Sequence, residues 1–155
     1  MLAQVFHRHP FLSLVTFCYL GFVAWLTLTP DLADRSSFGL LTRVLARLQR
    51  YPELDWLTYD RAEALANVAL FVPVGLFFLL LVGTRFWWAA IGLGIAMTVA
   101  IETAQRSIPG RVSDERDLLT NTVGTLIGVL VGIVLTLPAT LRRGRVRRRQ
   151  LARQR

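Results

Sequence analysis

Lysine is absent from these 155 residues, cysteine occurs once and histidine twice. The lone Cys18, set in an apolar run, excludes an intramolecular disulfide and a cysteine-rich metal site. HExxH, CxxC, a Walker A loop and GxSxG are all missing, and with them the zinc, redox, nucleotide and hydrolase chemistries that those motifs build. No cofactor and no metal is therefore expected. Asp114, Glu115 and Asp117 come nearest to a hard-cation set, but they are interleaved with arginine in a loop, the pattern of a solvated surface. The absence of lysine reads as genomic composition bias, since nothing in the chain requires a guanidinium at every basic position.

Uncharged apolar stretches are what the chain has in abundance: it is 54% hydrophobic and carries four runs of roughly twenty residues, the length a helix needs to cross about 30 Å of hydrocarbon. The expected fold class is all-α, a membrane helix bundle with spans near 11–29, 63–82, 86–105 and 118–137. The first run follows His7, Arg8, His9 and Pro10 but exceeds a usual signal h-region, and no small-x-small site precedes Asp31 and Asp34, so it reads as an uncleaved span. Residues 1–138 form one transmembrane domain in this reading, and residues 139–155 an arginine-rich tail.

The net charge of +8 resides in that tail. Residues 142–155 hold eight arginines and no acid, while ten arginines balance ten acids elsewhere. With an even number of spans both termini share a side; Arg8, Arg85 and the tail assign that side to the cytoplasm. The outer segments also contain eight arginines, offset by acids. The tail reads as an orientation determinant and a contact for anionic inner-leaflet lipid, each arginine contributing about 1 kcal/mol. No nucleic-acid partner is expected, because no aromatic residue interrupts the tail.

Between the first two spans, Leu41, Val44, Leu45 and Leu48 recur at helical spacing while Arg43, Arg47 and Arg50 take other faces. Ser36 or Ser37 suits the N-cap. A helix over 37–51 lies either flat at the interface, with Trp56 and Tyr59 in the aromatic belt, or over the end of the bundle.

Polar residues converge at one depth. Glu63 and Asn67 open the second span; Thr98, Glu102 and Gln105 share the outer end of the third; Asp117 and Asn121 start the fourth. A carboxylate one turn inside a span, as at Glu102, costs on the order of 2 to 3 kcal/mol without a partner or water, so it must face inward. Gly124, Gly128 and Gly132 extend the Asp117–Asn121 stripe with small-xxx-small spacing, and Gly94 lies in line with Thr98 and Glu102. That stripe suits packing within one chain or between two copies, so a homo-oligomer is open. In the loop between the last two spans, Arg111 presents a planar fork for a carboxylate or a phosphate, with Arg116 nearby.

The runs AEALANVALFVPVGLFF and AIETAQRSIPGRVSDERDLLTNTVGTLIG resemble the VanZ-like family of bacterial membrane proteins. The matching elements are Asn67 with Pro73 and Gly75; Glu102 and Gln105; Pro109, Gly110 and Arg111; and Asp117, Leu118, Asn121 and Gly124. Residues 60–132 carry the likeness, and Leu28, Thr29 and Pro30 suit it. The resemblance implies a place in the bacterial cytoplasmic membrane and a link, through the family's namesake, to resistance against teicoplanin, which acts on cell-wall precursors outside that membrane.

Three functions compete on these residues. The first is binding of a polar or anionic lipid headgroup, or a lipid-linked cell-wall precursor, at the outer leaflet by Asn67, Glu102, Gln105, Arg111, Arg116, Asp117 and Asn121. The second is a membrane hydrolase or transferase with Glu102 or Asp117 as general base; no nucleophile with an adjacent base accompanies them. The third is a structural role in which the polar groups fix helix pairing.

Overall fold

The computed structural model describes residues 10–29, 40–107 and 115–153, and their side chains except at 40, 41, 115 and 138–153. All regular structure among these residues is helical. The elements are α1 (Pro10–Leu28), α2 (Leu40–Leu48), a 3-10 turn at Pro52–Leu54, α3 (Tyr59–Val82), a second 3-10 turn at Thr84–Phe86, α4 (Trp87–Arg106) and α5 (Glu115–Arg153).

Four of these are long and apolar enough to cross a membrane: Pro10–Leu28, Tyr59–Val82, Thr84–Arg106 and Arg116–Leu137. The expected spans are recovered with shifts at their ends. The second starts four residues before Glu63, because Thr58 caps it by accepting from the Arg61 amide at 3.4 Å and Asp60 favours the positive end of the helix dipole. It stops at Gly83, whose φ of 87° a side chain would resist and whose amide still donates to the Leu79 carbonyl at 2.8 Å. The last helix does not stop with its span; it continues to Arg153, so the arginines of the tail up to that point stand on one rod with the fourth span.

The faces turned away from the bundle are apolar, and its interior mixes apolar with polar side chains. Leu119, Leu126, Leu130, Val134 and Leu137 on α5 and Phe11, Leu14 and Phe17 on α1 face outward, while Thr98, Glu102, Gln105, Asn121 and Thr125 are buried. Lipid tails are as apolar as leucine, so nothing drives these apolar side chains inward; close packing and interhelical hydrogen bonds hold the helices instead. Trp87 and Trp88 at one end, and Tyr51 and Trp56 at the other, are exposed where aromatic belts sit.

The tightest seam joins α3 and α5. A Cβ at Gly124 would meet the Val68 carbonyl, one at Gly128 the Val72 carbonyl, and one at Gly75 the backbone of Thr125. The glycine stripe therefore serves packing within this chain at Gly124 and Gly128, with Gly75 as its counterpart on α3. Val23, Phe71, Val74 and Ile101 pack where α1, α3 and α4 meet, and Leu79, Ala90 and Val129 fill the opposite end. Tyr19 ties α1 to α3 by donating to the Leu70 carbonyl at 2.8 Å, next to the turn that Pro73 deprives of an amide donor.

α2 covers the bundle end at the start of α3. Leu45 is buried against Leu57 and Ala62, with Leu48 and Tyr59 beside them, whereas Val44 points outward. Residues 37–39 of the expected 37–51 segment lie outside the described residues.

Candidate functional site

The polar residues of three spans are brought together at the end of the bundle where α3 and α5 begin and α1 and α4 end. Asn67 on α3 donates its amide to Asp117 Oδ1 on α5 at 2.7 Å. Asn121, one turn further along α5, donates to the Thr98 hydroxyl of α4 at 2.8 Å inside the bundle. Gln105 donates to the Thr27 carbonyl of α1 at 2.9 Å. Thr27 lies in the last turn of α1, where carbonyls have no partner within their own helix, so the glutamine satisfies an otherwise orphaned acceptor.

The register of α4 against α5 follows from two contacts. Thr98 meets Asn121, and a Cβ on Gly94 would run into the Thr125 side chain. Antiparallel helices that pair 98 with 121 and 94 with 125 bring Glu102 level with Asp117. Glu102 is 7% exposed and Gln105 4%. Two carboxylates at one level of a water-poor bundle require cations, donors or a proton close by. The polar groups thus form a wedge: Asn67, Asp117, Glu102, Gln105 and Thr27 at its mouth, Thr98 and Asn121 a turn deeper, Thr125 at its tip.

One buried acceptor in this wedge is left over. Asn121 is 6% exposed and its side-chain Oδ1 has no hydrogen-bond partner among the described residues, although its backbone carbonyl accepts from the Thr125 hydroxyl at 3.0 Å. A buried acceptor left unsatisfied costs about 1 to 3 kcal/mol, so the wedge has hydrogen-bonding capacity to spare for a donor brought from outside.

Of the seven residues singled out in the sequence, Asn67, Glu102, Gln105, Asp117 and Asn121 are gathered here. Arg116 is exposed at the rim at the start of α5, and Arg111 lies outside the described residues. Asp114, Pro109 and Gly110 lie outside them too. Among the described residues no group of three or more His, Cys, Asp or Glu side chains has the arrangement of a metal site. Thr27 and Thr125 escaped notice in the sequence. The signal for Thr125 was its i+4 spacing from Asn121; for Thr27 only its place in a helix's last turn could have served.

A bundle of four membrane-crossing helices with a polar wedge sunk into one end defines a multi-pass α-helical membrane protein. The VanZ/LLP1 family model matches residues 15–136, which span all four helices, and the chain belongs to that family. No curated protein and no solved structure shows significant similarity to it.

Proposed function

We propose that this VanZ-like protein binds the polar or anionic headgroup of an envelope lipid, or of a lipid-linked cell-wall precursor, at the outer leaflet of a bacterial cytoplasmic membrane. The observation that carries the reading is the wedge itself. Asn67, Asp117, Glu102, Gln105 and Asn121 converge at the bundle end remote from the C-terminal arginines, and Asn121 keeps a buried acceptor unused. The positive-inside rule puts both termini in the cytoplasm and the wedge in the outer leaflet. Arg111 and Arg116 supply charge for a phosphate; the amides read hydroxyls or phosphate oxygens; Glu102 and Asp117 orient the arginines or accept from a hydroxyl. A part in envelope homeostasis or glycopeptide resistance belongs to the same reading, since teicoplanin acts on precursors presented at that surface.

Native mass spectrometry of the detergent-purified protein with its co-purified lipids tests this. The wild type is expected to hold one lipid class selectively, and Arg111→Ala and Glu102→Gln to lose it. Unselective and identical profiles in all three would leave only a structural role for the wedge. A chemically altered lipid bound to the wild type alone would make the protein a hydrolase or transferase with Glu102 or Asp117 as its base.

A further inference from the structure

Beside the polar wedge, an open-sided groove of about 430 Å³ lies between α1 and α4, with Phe78 of α3 at its inner wall. It exists because the facing stripes are short of volume: Ala24 on α1 and Ala100 and Ala104 on α4 are small, while Leu28 and Met97 stand beside them. The α1 residues fall at i, i+4 and i+8 from Leu20, so the groove follows the helix axis for about 12 Å at 1.5 Å per residue. Its end at Leu28 and Ala104 is one residue from Thr27 and Gln105, whose hydrogen bond bridges the two helices there.

We propose that this groove holds one hydrocarbon chain of a membrane lipid whose polar end reaches the wedge. The inference rests on the headgroup reading above and adds to it the part of the ligand that lies in the membrane. Three observations choose the occupant. The lining is apolar throughout and provides no hydrogen-bonding side chain, so a headgroup or a column of water is disfavoured along its length. The groove is flanked by membrane-crossing helices, where the surrounding medium is hydrocarbon. The groove runs out at Leu28 and Ala104 beside the Thr27–Gln105 hydrogen bond, so a chain lying in it ends directly under polar groups, as the chain of a lipid with a headgroup does. A lipid placed this way brings a headgroup to Gln105, and through it to the level of Glu102 and Asp117, without leaving the bilayer. The ligand class is therefore an intact lipid with at least one long chain, acyl or isoprenoid, and a free headgroup of the same chemistry binds far less well.

Photolabelling with a lipid that carries its reactive group in the chain tests the proposal. The protein is reconstituted in phosphatidylethanolamine and phosphatidylglycerol vesicles with a trace of phosphatidylglycerol bearing a diazirine midway along one acyl chain. Adducts are expected to concentrate on Leu20, Ala24, Met97 and Ala100. Ala100→Phe, which fills the groove from an exposed position, is expected to lower their yield by about fivefold or more, while Val99→Phe on the neighbouring lipid-facing surface leaves it unchanged. Adducts spread evenly over the exposed faces of α1, α4 and α5, with no change in Ala100→Phe, would overturn the proposal. So would a dimer in the native mass spectrum that Ala100→Phe dissociates, since a second copy would then occupy the face. Competition separates this inference from the headgroup reading. Diacylglycerol displacing the probe as well as phosphatidylglycerol would keep the chain groove and remove the headgroup site; loss of selective lipid in Glu102→Gln with no groove adducts in the wild type would do the reverse.

Discussion

Asn67 and Asp117 lie fifty positions apart in sequence and form a 2.7 Å side-chain hydrogen bond across the parallel helices α3 and α5 at the mouth of the wedge. The donor is neutral and the acceptor is a carboxylate, a pairing worth about 1.5 to 3 kcal/mol. Asn67→Ala is expected to lower stability by that order, and Asn67→Asp by more, because it opposes two carboxylates in a water-poor place. Thermal unfolding in mild detergent, run as a double-mutant cycle with Asp117→Asn, measures the coupling; a coupling near zero would show that the pair does not hold the helices.

Thr98 and Asn121 separate stability from binding. Thr98→Val removes the acceptor of the Asn121 amide at a buried place and is expected to cost about 1 to 3 kcal/mol. Thr98→Val with Asn121→Leu removes both polar partners, together with the unused Oδ1, and is expected to be near neutral or stabilising in the same assay. The double variant should nevertheless lose selective lipid. Retention of lipid by a stable double variant would detach these two residues from the site.

Three glycines should differ sharply on substitution by alanine. At Gly128 the new Cβ meets the backbone carbonyl of Val72, which cannot turn aside, and a loss of at least about 2 kcal/mol is expected as α3 and α5 are forced apart. At Gly132 the obstacles are the ends of the Leu76 and Leu79 side chains, which can move to other rotamers, and the loss is expected to be smaller. Gly92 has open space at its Cβ, and Gly92→Ala is expected to be neutral or to gain up to about 1 kcal/mol of helix propensity. Equal effects at Gly128 and Gly92, read from thermal unfolding, would contradict the seam.

Orientation is open to a direct labelling experiment. In a Cys18→Ala background, Ser107→Cys is expected to react with an impermeant maleimide on intact cells, and Thr84→Cys only after the membrane is breached. The reverse pattern would turn the protein over and put the wedge at the cytoplasmic surface. Replacing the tail arginines by glutamine is expected to mix the two orientations, and an unchanged labelling pattern would refute the tail as their determinant.

The number of spans, their positions to within a few residues and the inward faces of α4 and α5 were legible in the sequence. Length, charge and 3.6-residue periodicity are local properties, and the hydrocarbon core admits few backbone solutions. The depth of Glu102, Gln105, Asp117 and Asn121 followed from counting turns from the span ends, and their gathering at one end from the alternation of span direction. Pairing between helices could not be counted in that way. That Asn67 meets Asp117 while Asn121 meets Thr98, that Gln105 reaches a carbonyl of α1, and that Gly75 answers the glycine stripe depend on helix rotation and register, which are set by contacts between residues distant in sequence. The groove between α1 and α4 belongs to the same class. Three alanines on two helices read as ordinary apolar positions until packing leaves their missing volume on one side, where no neighbouring side chain fills it.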